Sequence, residues 1–184
     1  DKDGRHLNEF DAQMNRLSAT LVFLSFGIPM INEGQEFMRS KRGISNTYDR
    51  GDGVNAIRWT DRERPIAAET MRYYRDLIRL RSSDEGRSFR VKSTPPAGYV
   101  SWVEPPDGRH LGYIINAPRI HPGNGFIVLL NADTRPAPFQ VNVPAGRWKL
   151  IGDGKQINLQ GLEGQDVITG PTTATIKVPD VGAL

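Results

Sequence analysis

The chain has 184 residues, 24 basic and 21 acidic side chains, a formal net charge of +3 and no cysteine. This length suits one or two small domains but not a complete (β/α)8 barrel, which needs roughly 250 residues. The absence of cysteine excludes a disulfide framework, a thiol nucleophile and a cysteine-based zinc site. Hydrophobic residues make up 38% of the chain, which is enough for a buried core.

The chain starts at Asp1 rather than at methionine, and its first residues are polar and charged. We therefore expect that any signal peptide is absent or already removed, and that the sequence was cut from something larger. The longest uninterrupted apolar run, residues 126–130, is far shorter than the roughly 20 residues of a membrane-spanning helix. We predict no membrane partner.

Composition divides the chain near residues 87–96. Residues 1–92 hold two prolines, 17 basic and 14 acidic groups, whereas residues 93–184 hold eleven prolines and seven groups of each sign. A charged segment with few prolines favours helices, and a segment rich in proline and glycine favours short strands joined by turns. We therefore predict two domains, residues 1–92 and 93–184.

The first half is predicted to open with a helix over residues 7–26. Asn8 is placed to cap its start and Gly27 to end it. Apolar residues at i, i+3 and i+7 spacing form one face of this helix: Leu7, Phe10, Met14, Leu17, Leu21 and Leu24. The short apolar segment 27–32 is predicted to be a buried strand.

A long loop is predicted over residues 33–59, and loops of this length are often functional. A second helix is predicted over residues 63–82. Thr60 and Glu63 have the spacing of a capping box, and Pro65 suits a first helical turn. Its apolar face is formed by Ile66, Tyr73, Tyr74, Leu77, Ile78 and Leu80.

The second half is predicted to be a small antiparallel β-sandwich, which makes the fold class α+β. Asp107 and Gly108 predict a hairpin between the first two strands. The predicted strands cover residues 99–104, 111–116, 126–131, 139–143, 148–152 and 173–178. Their predicted core is built on Trp102, Tyr113, Phe126, Leu129 and Trp148.

The motifs between residues 21 and 59 resemble one enzyme family. Residues 21–37, Leu-Val-Phe-Leu-Ser-Phe-Gly-Ile-Pro-Met-Ile-Asn-Glu-Gly-Gln-Glu-Phe, resemble a segment of glycoside hydrolase family 13, the α-amylase superfamily. There a helix runs into the eighth barrel strand. The continuation resembles the loop of type I pullulanases and glycogen debranching enzymes, with Arg-Ser-Lys-Arg-Gly at 39–43, Asn-Thr-Tyr at 46–48 and Gly-Asp-Gly-Val-Asn-Ala-Ile-Arg-Trp at 51–59.

This resemblance implies the last helix–strand–helix portion of a (β/α)8 barrel followed by an all-β antiparallel C-terminal sandwich. It also implies hydrolysis of α-1,6-glucosidic bonds of pullulan, glycogen or starch by a retaining mechanism. That mechanism needs a nucleophilic carboxylate about 5–5.5 Å from a carboxylic acid. In this superfamily these acids end earlier barrel strands, so we assign no catalytic residue and expect the chain alone to be inactive.

Tyr48, Asp52 and Asn55 are the predicted substrate-binding residues, because the resemblance places their loop beside the sugar subsites. An aromatic ring stacks on a sugar, and carboxylate and amide groups bond to its hydroxyls. The alternative is that Asp52 and Asn55 only shape a glycine-rich turn. Glu33 and Glu36 lie at the end of the predicted strand, but a loop does not fix their separation. We predict a structural role for Glu36.

No metal or cofactor is predicted, since His6, His110 and His121 share no metal-ligand spacing. The 18 arginines are interleaved with acidic residues such as Glu69 and Asp76. This pattern favours an ion-paired solvent face over nucleic-acid binding.

Two other functions stay open. The strand-rich half could be a non-catalytic carbohydrate-binding or stabilising module, with exposed aromatics such as Tyr99 or Trp102 as a sugar platform. Strand alternation places Trp102 in the core instead. The chain could also self-associate through its helix 7–26 and strand 28–31, which other barrel elements would normally cover.

Overall fold

The computed structural model describes residues 8–183 and has an α+β fold of helices and antiparallel strands. Helices α1, α2 and α3 span Glu9–Leu24, Gly51–Asn55 and Pro65–Ser82. Short 3₁₀ turns cover Gln35–Phe37, Trp59–Glu63 and Glu85–Phe89. The strands β1 to β6 span Val100–Val103, His110–Ile115, Phe126–Asn131, Ala137–Trp148, Ile168–Val178 and Gly182–Ala183. Leu7 and His6 lie outside the described residues.

The strands form two sheets. One sheet has four strands in the order β1-β2-β3-β6, and the other pairs β4 with β5. Every neighbouring pair is antiparallel, and the hairpin predicted at Asp107 joins β1 to β2. Among residues 8–183, no helix is long and apolar enough to cross a membrane.

The four-stranded sheet is buried on both faces, which explains the uninterrupted apolar run in β3. Val128 and Leu130 point toward the helices and pack in one core with Tyr74 and Leu77. Leu129 points to the opposite face and packs on Phe139 of β4 in a second core between the sheets. Because successive side chains alternate between faces, a strand covered on both sides needs apolar residues at every position.

Strand β4 shows the other pattern, because only one of its faces is covered. Ala137, Phe139, Val141 and Val143 are buried against the first sheet, while the residues between them are exposed or half-buried. This alternation is typical of an antiparallel strand with one solvated face.

Helix α1 begins as predicted but buries a different face. Asn8 caps it by accepting a hydrogen bond from the backbone N–H of Asp11 at 2.9 Å. Its buried residues are mostly small or polar and include only Leu24 of the predicted face: Ala12, Arg16, Ala19, Thr20, Phe23 and Leu24. Phe10, Met14 and Leu21 of the predicted apolar face are exposed. Small side chains let α1 lie close to α3, so tertiary contacts override the hydrophobic pattern here.

The C-terminal end of α1 is held by the buried guanidinium of Arg81 on α3. It donates hydrogen bonds to the backbone carbonyls of Phe23, Ser25, Gly27 and Phe89. The last carbonyls of a helix lack partners within the helix, and a cation near them is also favoured by the helix dipole. Burial lowers the pKa of Arg81, with a smaller effect from Arg90.

The predicted strand over residues 27–32 is not formed. The segment lacks regular structure, and no described strand pairs with it. Its side chains are exposed rather than buried, with 90% of Ile28 and 84% of Met30 open to solvent. A strand of this kind needs hydrogen-bonding neighbours on its edges, and the described residues offer none.

The predicted strands over 99–104, 111–116 and 126–131 are confirmed with shifts of one residue at most, and the strand predicted over 173–178 starts five residues earlier, at Ile168. The strand predicted over 148–152 is wrong, because β4 ends at Trp148 and continues the strand predicted over 139–143 through a bulge between Val143 and Gly146. Pro144 lies in this bulge, where it costs no ladder hydrogen bond. The strand β6 is not among the predicted strands, because a segment of two residues is too short to show an alternating hydrophobic pattern.

Three further predictions differ from the structure. Trp102 is 73% exposed, because it lies on the edge strand β1 beyond the helices that cover Tyr113, and Trp148 is half-buried. Tyr99 is buried and donates to the carbonyl of Ser88 at 2.7 Å. The helix predicted over 63–82 starts at Pro65 without a side-chain cap, and Thr60 belongs to the preceding 3₁₀ turn.

Replacing Arg81 by methionine is expected to lower the free energy of unfolding by about 3 kcal/mol. The substitution leaves buried carbonyls without donors, and each such loss costs about 1–3 kcal/mol. Urea unfolding followed by far-ultraviolet circular dichroism measures the effect. Arg79→Met is the matched control, since Arg79 is exposed and pairs only with Asp76. Equal losses in both variants would contradict the capping role.

The fold is expected to lose stability between pH 10 and 12. Burial raises the pKa of both Tyr73 and Tyr74 to about 12, although hydrogen bonds with Thr20 and Gln35 partly oppose it. In the unfolded chain both phenols titrate near pH 10, so the unfolded state loses their protons first. The contribution of these two tyrosines to stability therefore stays constant below about pH 9 and then falls by up to about 1.4 kcal/mol per pH unit for each tyrosine.

Urea unfolding at a series of alkaline pH values measures this slope, and tyrosinate absorbance gives the titration. Tyr73→Phe should reduce the dependence of the unfolding free energy on pH by the contribution of one tyrosine. An unchanged dependence in this variant would contradict the assignment of the alkaline destabilisation to Tyr73.

Candidate functional site

The long loop predicted over residues 33–59 is an ordered segment that leaves α1 and returns at α3. It contains the 3₁₀ turn Gln35–Phe37 and the helix α2, joined by turns. Phe37 and Met38 are buried at its base. Thr47 is buried in its middle, while most residues around it are exposed. The loop therefore has a fixed base and an accessible outer surface.

Three side chains close a hydrogen-bonded ring at the base of the loop. Gln35 Nε2 donates to the hydroxyl of Tyr74 at 2.8 Å, and that hydroxyl donates to Asn15 Oδ1 at 2.7 Å. Asn15 Nδ2 in turn donates to the backbone carbonyl of Gln35 at 3.0 Å. The ring joins the loop to α1 and α3, so the loop cannot move at this point without breaking all three bonds.

Arg39 connects the two ends of the loop. Its guanidinium donates to the carbonyl of Glu33 at 3.3 Å and to the carbonyl of Asn55. Its Nε is buried without a partner among residues 8–183. Gly34, with φ of 83°, makes this possible, since a Cβ there would lie 2.8 Å from Cβ of Arg39. A larger residue at position 34 would push the arginine away.

The three predicted substrate-binding residues lie on one stretch of this loop but differ in availability. Tyr48 is 85% exposed, and Asp52 is exposed in the first turn of α2. Neither side chain makes a hydrogen bond to another residue within 8–183. Asn55 is half-buried, and its amide donates to the carbonyls of Thr47 at 2.6 Å and Arg50 at 3.1 Å. Tyr48 and Asp52 are therefore free for a ligand, whereas the Asn55 amide holds the turn that carries Tyr48.

The structure adds Trp59 to this surface, which the sequence analysis did not select. Trp59 is 58% exposed, and its ring contacts buried Phe37 with centroids 6.0 Å apart. One edge of the indole is thus fixed and the rest is open. The sequence feature that could have identified Trp59 is a tryptophan at the end of a loop rich in glycine and charged residues. Such a large amphipathic ring on an exposed loop is suited to contact a partner or ligand.

Glu33 and Glu36 do not form a catalytic pair in the structure. Glu33 is exposed and Glu36 half-buried, and neither carboxylate accepts a hydrogen bond from a described residue. No group of three or more His, Cys, Asp or Glu residues within 8–183 is placed to hold a metal ion. Tyr48, Trp59 and Asp52 give the outer surface of the loop two exposed aromatic rings and one exposed carboxylate.

Replacing Tyr74 by phenylalanine is expected to loosen the loop. The loss of two hydrogen bonds costs about 1–2 kcal/mol, which raises the fraction of opened loop about 5- to 30-fold. Trypsin cleavage after Arg39 reports this opening, because that side chain is engaged at both ends of the loop. Mass spectrometry measures the cleavage rate under native conditions.

Tyr73→Phe is the matched control for this variant. Its hydroxyl bonds Thr20 on α1 at 2.7 Å and does not reach the loop. Similar cleavage rates after Arg39 in the two variants would contradict a specific role of Tyr74 in holding the loop.

No family model matches the chain. Curated proteins do match it. Among them, a pullulanase of Bacillus subtilis (strain 168) is 40% identical over 78 residues, and isoamylase 1, chloroplastic, of Arabidopsis thaliana is 33% identical over 90 residues. These segments are 42% and 49% of this chain but only 10% and 11% of the two relatives. The matched region is therefore a small part of each relative.

Solved pullulanases share the fold over nearly the whole chain. A pullulanase from Bacillus acidopullulyticus matches 96% of the chain with a TM-score of 0.77 and 25% identity, and the match covers 20% of that protein. A type I pullulanase from Bacillus subtilis str. 168, solved in complex with maltose, matches 97% with a TM-score of 0.78 and 22% identity, over 24% of its length. The chain is thus related to a fragment of the pullulanase-type debranching enzymes of glycoside hydrolase family 13.

Proposed function

We propose that this chain is the C-terminal portion of an α-glucan debranching hydrolase that cleaves α-1,6-glucosidic bonds of pullulan, glycogen or starch. In this proposal residues 1–92 form the last helix–strand–helix portion of a (β/α)8 barrel, and residues 93–184 form a β-sandwich domain. The parent enzyme uses a retaining mechanism, and its catalytic acids lie outside this chain. The motifs in residues 21–59 and the pullulanase relatives support this proposal.

The observation that carries the proposal is the uncovered apolar surface along α1 and the segment that follows it. Phe10, Met14 and Leu21 on the helix are exposed, as are the apolar side chains that follow it: Phe26, Ile28, Met30 and Ile31. An exposed apolar surface of this kind marks an interaction site in a folded protein. The remainder of a barrel would cover α1, and neighbouring strands would pair with residues 28–31 as the sequence predicts.

In the assembled barrel, the loop after residue 32 lies at the carboxyl end of the eighth strand, where barrel enzymes bind their substrates. Tyr48 then stacks on a glucosyl ring, and the carboxylate of Asp52 accepts hydrogen bonds from sugar hydroxyls. Asn55 does not contact the substrate; its amide holds the turn that carries Tyr48 and so positions that ring. The hydrogen bonds of Arg39 and Gln35 fix the loop before the sugar binds, which lowers the entropic cost of binding.

A second candidate function is a non-catalytic carbohydrate-binding or stabilising module. The exposure of Trp102 favours it, because a solvent-facing indole on a flat edge strand can stack on a sugar. In either case the isolated chain keeps its apolar surface uncovered, so self-association remains a prediction for the chain on its own.

Pure chain is expected not to hydrolyse pullulan, since it lacks the paired carboxylates. A chimera that carries this chain in place of the matching part of the Bacillus subtilis pullulanase should hydrolyse it. In the chimera, Asp52→Ala is expected to lower kcat/KM about tenfold or more, because a hydrogen bond to a charged group contributes about 1.5–3 kcal/mol. Reducing-sugar release from pullulan measures the rates.

Asp49→Ala is the matched control, since Asp49 is an exposed neighbour whose ion pair with Arg50, at 3.8 Å, lies in solvent. Equal losses for Asp49 and Asp52 would contradict the substrate contact. An inactive but folded chimera would contradict the debranching proposal, and hydrolysis by the chain alone would contradict the absence of catalytic acids.

A further inference from the structure

A cleft of about 720 Å³ is lined by residues of β3, β4 and β5 and by the segment that connects β4 to β5. Its apolar lining includes Ile127, Ile168 and Ile176, which are partly buried between the sheets. Ligand-binding clefts are usually about 300–1,000 Å³ in volume, so this one is large enough for a short oligomer of small rings.

Trp148 forms a fixed aromatic wall of the cleft. Its Nε1 donates to the carbonyl of Pro144 at 2.8 Å. At the other end of the indole, a Cβ on Gly125 would lie only 3.1 Å from Cη2, so the glycine allows the ring to approach the backbone. The bulge between Val143 and Gly146 lies just before Trp148, and bulges redirect the side chains that follow them. The indole is therefore held in place before any ligand binds.

Polar side chains with no internal partner surround this wall. Arg119, Asn124, Gln165 and Asp166 line the cleft, and none of these side chains bonds to another residue within 8–183. Four basic and three acidic side chains line the cleft in all, so the charges nearly cancel. A balanced lining disfavours a strongly charged ligand, whereas amide, carboxylate and guanidinium groups together suit a molecule with many hydroxyls.

We propose that this cleft is a second carbohydrate site, separate from the loop that carries Tyr48, and that it takes a short neutral oligosaccharide. One sugar ring stacks on Trp148, while Gln165 and Asp166 bond to hydroxyls at the rim. The residues that line the cleft support a carbohydrate site by themselves. The choice of an α-linked glucan as its ligand rests on the proposed function.

The test uses the full chain with Trp148 as its single tryptophan, obtained with the substitutions Trp59→Phe and Trp102→Phe. Titration with maltohexaose is expected to change the Trp148 fluorescence to saturation. Asp166→Asn and Gln165→Ala should each weaken the apparent Kd about fivefold or more, as expected for the loss of a hydrogen bond in the cleft. Both residues are exposed and lack partners, so these variants should stay folded.

Asp180→Asn and Gln160→Ala are the matched controls, because both residues are exposed and neither lines the cleft. Their Kd values should stay within about twofold of the parent. A Kd that rises equally in the controls and in the cleft variants, or no saturable change at all, would overturn the proposal. A response to inorganic phosphate but not to maltohexaose would overturn it in favour of an anion site.

The outcome separates this inference from the proposed function. If maltohexaose binding is lost in Tyr48→Ala but unchanged in Asp166→Asn, the cleft proposal fails and the loop proposal gains support. If cellohexaose binds as well as maltohexaose and depends on Gln165 and Asp166, the carbohydrate site holds and its link to α-glucans is removed. An inactive chimera would not affect the fluorescence result.

Discussion

The helical part of this protein depends on the buried guanidinium of Arg81. A helix that ends inside a protein leaves carbonyls that need donors, and α1 ends against α3 and the four-stranded sheet. Arg81 donates to the carbonyls of Phe23, Ser25 and Gly27 at the end of α1 and to that of Phe89 after α3. It therefore fixes the direction in which residues 25–27 leave the helix, and the hydrogen bonds of Gln35 fix the chain again further on.

Hydrogen bonds from other polar side chains also hold irregular segments of the molecule in place. Asn116 donates to the carbonyls of His121 and Gly123 and to Ser88 Oγ, which ties the loop before β3 to the turn after α3. Gln35 and Tyr74 tie the 33–59 loop to both long helices. In both places polar side chains of an irregular segment are paired with side chains or backbone of its neighbours, which gives that segment one conformation at a modest free-energy gain.

The two proposed carbohydrate surfaces differ in how complete they are. The loop with Tyr48 and Asp52 is held firmly at its base, yet its outer surface is open to solvent, and further protein is needed to enclose a substrate there. The cleft beside Trp148 is formed by the strand-rich half and its connections, with Glu85 of the turn after α3 at its edge. The first surface therefore requires the rest of a barrel for its proposed role, and the second does not.

The sequence alone determined which segments are helix and strand where a period was long enough to read, as in α3 and in β3, and the motifs in residues 21–59 determined the relationship to pullulanase-type enzymes. Tertiary structure decided the rest. Burial of α1 through alanines and Arg16, exposure of Trp102 and the absence of a strand at 27–32 all depend on which neighbours are present. Trp59 and the Trp148 cleft depend on contacts between distant residues, and periodicity along one chain does not encode such contacts.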